Sequence, residues 1–177
     1  MIEKAFALAA ELHAGQTRPG TDVPYLAHLL GVTALVLEDG GSQTEACAAL
    51  LHDAVEDQGG PPTLERIRAG FGEDVARIVD ALTDGPEESW RERKQAYLDR
   101  LDHEPPDVLR VSLADKLDNA RTLARDRRAL GDAAWERAGK DRDGQVWYFG
   151  ALVDVFRRRA PGPATEELAR EVKSLTR

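Results

Sequence analysis

A chain of 177 residues that is 42% hydrophobic and 32% charged can bury one ordinary core and is too apolar to be disordered. Its net charge of −8 argues against a general nucleic-acid partner, which selects a basic face, but admits an anionic small substrate where a cation and local Arg or Lys offset the field. No apolar run approaches the roughly 20 residues that span a bilayer, and the first residues do not read as a secretion leader. The expectation is a cytoplasmic protein with no membrane partner.

In chain order, Ile2, Phe6, Leu8, Ala9 and Leu12 keep helical spacing, and Gly15 reads as the C-cap. A polar loop follows. Pro24 sits near the first position of a second helix, Tyr25 to about Glu38, which carries His28 among Leu26, Leu29, Leu30, Val32 and Leu35. Gly40 and Gly41 end it, and Ser42 with Glu45 forms a capping box that starts the next helix.

The stretch from Ala46 to Asp57 is apolar nearly all round, with Cys47 as a buried structural thiol, yet it holds His52, Asp53, Glu56 and Asp57. On a helix, residues four apart share a face, so His52 stacks over Glu56 and Asp53 over Asp57. Burying two acids and an imidazole without partners costs several kcal/mol. A metal ion is the economical compensation.

Beyond Asp57, glycines and prolines force a break; Thr63 reads as the cap of a short helix holding Leu64, Ile67 and Phe71, and Gly72 stops it. Val75, Ile78, Val79 and Leu82 form another stripe. Glu87 to His103 reads as a charged surface helix with a thin line of Trp90, Tyr97, Leu98 and Leu101. Pro105 and Pro106 open a helix with Val108, Val111, Leu113, Leu117 and Leu123 for the core and Asp115 among them. Trp135 lies on a short amphipathic piece, Val146 to Phe156 forms a strong closing helix, and Thr165 to Leu175 reads as peripheral. No strand alternation is visible. The expected fold class is all-α.

His28, His52, Asp53 and Asp115 each have an ordinary explanation when taken singly. Together they are a two-imidazole, two-carboxylate set, which suits Mn²⁺, Fe²⁺ or Zn²⁺ better than metals that prefer thiolate or all-oxygen sites. Four protein ligands leave one or two positions for water and a substrate oxygen.

At these residues the chain resembles a known family. HAGQTR, PYLAH, ALLHDAVED and SLADKLDNARTL look like the hydrolase motifs of the RelA/SpoT-homologue family, closest to stand-alone alarmone hydrolases of the metazoan SpoT-homologue type. The resemblance implies an HD-domain helical bundle filling residues 1–177 as one domain, with a motif-bearing core of about 5–125 and closing helices of about 141–177. It implies hydrolysis of the 3′-diphosphate of guanosine tetra- or pentaphosphate to GDP or GTP and pyrophosphate. By the family pattern, Mn²⁺ is held by His28, His52, Asp53 and Asp115, with Fe²⁺ and Zn²⁺ as alternatives. Glu56 and Asp57 match the acidic pair that positions or deprotonates the attacking water. Arg18 matches the residue that packs on the nucleobase, and Arg93, Lys94, Lys116, Asn119 and Tyr148 are further substrate contacts.

The chain departs from the pattern at Pro19 to Asp22, where relatives often place another basic residue. It also has Leu29 in place of a proline, and Asp118 where His or Tyr is common. Asp118 adds negative charge near a polyanionic substrate. Two other readings stay open: the same site acting on another phosphoester (an adenine alarmone or NADPH), or a silent HD domain that binds nucleotide as a sensor. Oligomeric state is not legible.

Overall fold

In the computed structural model, which describes residues 1–139 and 141–176, the apolar stripes become eleven helices among the described residues. They are α1 (Ile2–Leu12), α2 (Leu26–Glu38), α3 (Gln43–Leu51), α4 (Ala54–Asp57), α5 (Pro61–Phe71) and α6 (Glu73–Leu82), followed by α7 (Trp90–Leu101), α8 (Pro106–Leu130), α9 (Ala133–Arg137), α10 (Arg142–Arg159) and α11 (Pro163–Leu175). No extended strand occurs among these residues, and no helix among them is long and apolar enough to cross a membrane.

Helix α3 is the centre. Its N-terminus carries the expected capping box: the Ser42 hydroxyl accepts from the Glu45 amide while the Glu45 carboxylate accepts from the Ser42 amide. Residues Ala46 to Leu51, Cys47 included, are buried on every side, so α1, α2, α6 and α8 pack around it. The long α8 then carries the outer layer, with α11 and α10 laid against it.

Several expectations are corrected. The stretch Ala46 to Asp57 is not one helix: regular winding stops after Leu51, and Asp53, at φ −91° and ψ −3°, starts the single turn α4. Helix α1 ends at His13, not Gly15; Gly15 instead takes φ +76° in the turn that follows. Phe6 stands 39% exposed, because Ala5 and Ala9 form the buried side of α1. Thr63 is not a cap. Gly60 precedes α5, and the Thr63 hydroxyl donates back to the Gln58 carbonyl at 2.6 Å. The charged α7 keeps its expected apolar line, burying Tyr97, Leu98 and Leu101, but it starts at Trp90 and not at Glu87, fixed by a second capping box, Ser89 with Glu92. Helix α11 is not peripheral either. Leu168, Val172 and Leu175 are buried, and it closes the core over α8 and α10.

Candidate active site

The break after Leu51 turns His52 and Asp53 toward α2 and α8. His28 and Asp115 project there from the middle of those helices, and His28, His52 and Asp115 are all buried. His28, His52 and Asp53 offer ligand atoms that all lie within 4.8 Å of one another. The His52 Nε2 is 3.0 Å from an Asp53 oxygen and 3.6 Å from Asp115, while the His28 Nε2 is 3.2 Å from Asp115 and 3.6 Å from Asp53. These contacts are ion-pair distances without hydrogen-bond alignment. The His52 Nε2 remains a buried polar atom with no hydrogen-bond partner among the described residues, a state that a native core tolerates poorly.

Each of these four side chains is held from behind. The His52 Nδ1 donates to the Ala49 carbonyl at 2.8 Å, and the His28 Nδ1 to Asp118 at 2.6 Å. The Tyr25 hydroxyl donates to Asp53 at 2.6 Å, and the Asn119 amide to Asp115 at 2.6 Å. The Lys116 ammonium, buried 4.9 Å over the Tyr97 ring, pairs with the other Asp115 oxygen. Both imidazoles therefore present Nε2 to the cluster, the arrangement in which a histidine ligates metal. Burial disfavours charge on His28, but the facing carboxylates of Asp115, Asp118 and Asp53 outweigh it and raise its pKa to about 9. The same balance raises His52 and holds Asp53 and Asp115 well below the usual carboxylate range, because each carboxylate faces imidazoles or Lys116. A cluster of two imidazoles and two anionic carboxylates with an orphaned, inward-facing nitrogen fits a divalent cation, which would replace the shared protons.

The acidic pair follows on α4. Glu56 accepts from the Asp84 amide at 3.3 Å, and burial of its carboxyl together with the charge of Asp84 raises its pKa. Asp57 accepts from the Gln16 side chain at 2.8 Å, and Gln16 is itself held by His13 and Gln58.

Two cavities flank the cluster. One, about 370 Å³, is lined by Arg18, Tyr25, His28 and Asp118; the other, about 580 Å³, by Trp90, Lys94, Lys116 and Tyr148. Asn119 and Ala138 line both. Arg18 donates to Asn119 at 3.1 Å, so a chain of contacts runs from the first cavity to Asp115. In the second cavity the Tyr148 hydroxyl is buried and has no hydrogen-bond partner among the described residues. Lys94 lies 5.5 Å over the Tyr148 ring and pairs with Asp84 at 2.6 Å. Arg93 lies elsewhere: its guanidinium donates to the Glu87 and Glu88 carbonyls and lines neither of these cavities.

Sequence reading passed over Tyr25, Gln16 and Asp84, and saw Asp118 only as surplus charge. Tyr25 and Asp118 had a local signal, since each lies three residues from a ligand on the same helical face. Gln16 and Asp84 had none.

A family model described as HD domain matches residues 5–139. The guanosine-3′,5′-bis(diphosphate) 3′-pyrophosphohydrolase MESH1 of Xenopus tropicalis is 40% identical over 128 residues, 71% of this chain and 70% of that protein. A GTP pyrophosphokinase of Streptomyces coelicolor is 38% identical over 126 residues, 69% of this chain but 14% of that longer protein. A solved structure described as a metazoan orthologue of SpoT that hydrolyses ppGpp and plays a role in starvation responses superposes with a TM-score of 0.79 at 26% identity, covering 97% of this chain and 93% of that one.

Proposed function

The chain belongs to the HD-domain family, among its RelA/SpoT-homologue hydrolases, and from that premise we propose that it removes the 3′-diphosphate of guanosine tetra- or pentaphosphate, giving GDP or GTP and pyrophosphate. The observation that carries this reading is the convergence of His28, His52 and Asp53 beside two cavities that meet at Asn119. The proposal includes Mn²⁺ as the cation, held by these three residues and Asp115. It takes residues 1–177 as one unit in the cytoplasm, a setting that suits the free, buried Cys47.

In the reaction, water adds to the phosphorus on the ribose 3′-oxygen, the bond to that oxygen breaks, and a proton ends on the 3′-hydroxyl. A divalent cation in the cluster supplies Lewis acidity toward water and phosphoryl oxygens. The chain's own residues do the rest. Glu56, whose pKa is raised by burial and by the charge of Asp84, is suited to take and return a proton. Asp57, fixed by Gln16, orients the water. Arg18 offers a guanidinium plane to the base in the first cavity. Lys94, Lys116 and the Tyr148 hydroxyl face the phosphates or ribose from the second, with Arg93 as an outlying cation.

The test is product release from a nucleotide panel by metal-stripped protein resupplied with Mn²⁺. Pyrophosphate from the guanosine 3′-diphosphates, lost in His52→Ala, is expected. That loss should exceed the roughly 10²–10⁴-fold of a general acid–base residue, since it removes a ligand and leaves two buried carboxylates short of a partner. Orthophosphate from NADPH alone would move the site to another phosphoester, binding without turnover would make the protein a sensor, and rescue by Fe²⁺ or Zn²⁺ but not Mn²⁺ would change the cation.

A further inference from the structure

We propose that Asp118 is a positioning residue of the metal centre, which holds the His28 ring through Nδ1 so that Nε2 faces the cation. The inference rests on reading the cluster as a divalent-metal site. It concerns a position where the chain departs from the resembled pattern.

The His28 side chain is 1% exposed and Asp118 20%, and the 2.6 Å contact between them joins α2 to α8 across 90 positions of sequence. An imidazole has two nitrogens and one proton when neutral. An anionic acceptor on Nδ1 demands the proton there, which leaves the Nε2 lone pair for the cluster. His52 has its tautomer set by a neutral carbonyl, that of Ala49, so the two ligands are not equivalent. A carboxylate behind His28 makes it the more basic donor of the two.

A second observation binds Asp118 to this task. A Cβ added at Gly31, on the same face of α2, would lie 2.5 Å from the Asp118 Oδ1. Relief comes most cheaply from turning the short carboxylate away, and that movement breaks its contact with His28. Gly31 therefore leaves the space in which Asp118 reaches the ring. Asp118 also lines the first cavity, so the same carboxylate that holds His28 forms part of the wall an anionic substrate would meet.

The experiment is a chelator-competition titration of Mn²⁺ with the full chain and with Asp118→Asn, Asp118→Ala and Gly31→Ala. Asp118→Ala should weaken Mn²⁺ by roughly 10–100-fold. Asp118→Asn, which keeps an acceptor but no charge, should fall between it and the parent, and Gly31→Ala should shift affinity in the same direction with Asp118 chemically intact. Unchanged affinity in all three, with or without a lower melting temperature, would overturn the proposal and leave Asp118 a structural residue. No Mn²⁺ binding by the parent protein would instead sink the metal reading on which it rests. If the variants do not fold, ring ¹⁵N spectra of the Zn²⁺-loaded parent decide: a His28 proton on Nδ1 is expected, and a proton on Nε2 would refute it.

Discussion

At the crossing of α2, α3 and α8, each candidate ligand leans on a partner deep in the bundle: His28 on Asp118, His52 on the Ala49 carbonyl, Asp53 on Tyr25, and Asp115 on Lys116 and Asn119. Around the cavities, the cations are held by loops and by the rim. Lys94 is paired with Asp84, and Arg137 on α9 pairs with Asp126. The first region is set before any substrate arrives, because buried polar groups must be satisfied in one arrangement. The second is committed to its own carboxylates, so an entering polyphosphate has to exchange partners there. Chemistry is therefore rigid and recognition adjustable, and three measurements bear on that contrast.

Glu56 should mark the boundary most sharply. Replacing it with Gln keeps the shape and removes the proton acceptor, so turnover should fall by roughly 10²–10⁴-fold while nucleotide affinity holds. Single-turnover rates beside equilibrium binding check this, and an unchanged rate would remove Glu56 from the chemistry.

The rigid centre should also declare itself through pH. The His28 pKa, raised to about 9 in the fold, lies above its ordinary 6.5. Its contribution to the stability of the metal-free protein is thus fully present below about pH 6.5 and is lost as pH rises through about 9, a change on the order of 3 kcal/mol. A divalent cation held by His28 would have to displace the same proton, so its apparent affinity should climb across that window. Melting curves of metal-free and Mn²⁺-loaded protein should diverge with rising pH. Parallel curves would take His28 out of the ligand set.

The smallest effect is expected at the rim. Gly20, at φ +66°, lies so close to α9 that a Cβ would overlap the Arg137 carbonyl oxygen. Gly20→Ala should cost about 1–2 kcal/mol of stability and loosen the loop that carries Arg18. Raised KM with nearly constant kcat would bear out an adjustable rim, whereas a collapse of kcat would tie the loop to the rigid centre.

The four candidate ligands were legible because ionisable groups stood out on helical faces that were otherwise apolar, and burial of such groups demands a compensating partner. The capping box at Ser42 and the all-helical class followed from spacing in the same way. What the sequence could not yield were the pairings between distant elements. Periodicity carries information over a few residues, while Asp118 meets His28 across 90 positions and Gln16 meets Asp57 across 41. The same limit hid the break after Leu51. Local preference favours a continuous helix through His52, and only the convergence with α2 and α8 makes the turn worthwhile. Thr63, Phe6 and the closing role of α11 were likewise decided by what each packs against. The sequence alone singled out the ionisable residues whose burial calls for compensation; tertiary packing decided which nitrogen and which oxygen each of them presents, because orientation depends on neighbours distant in the chain.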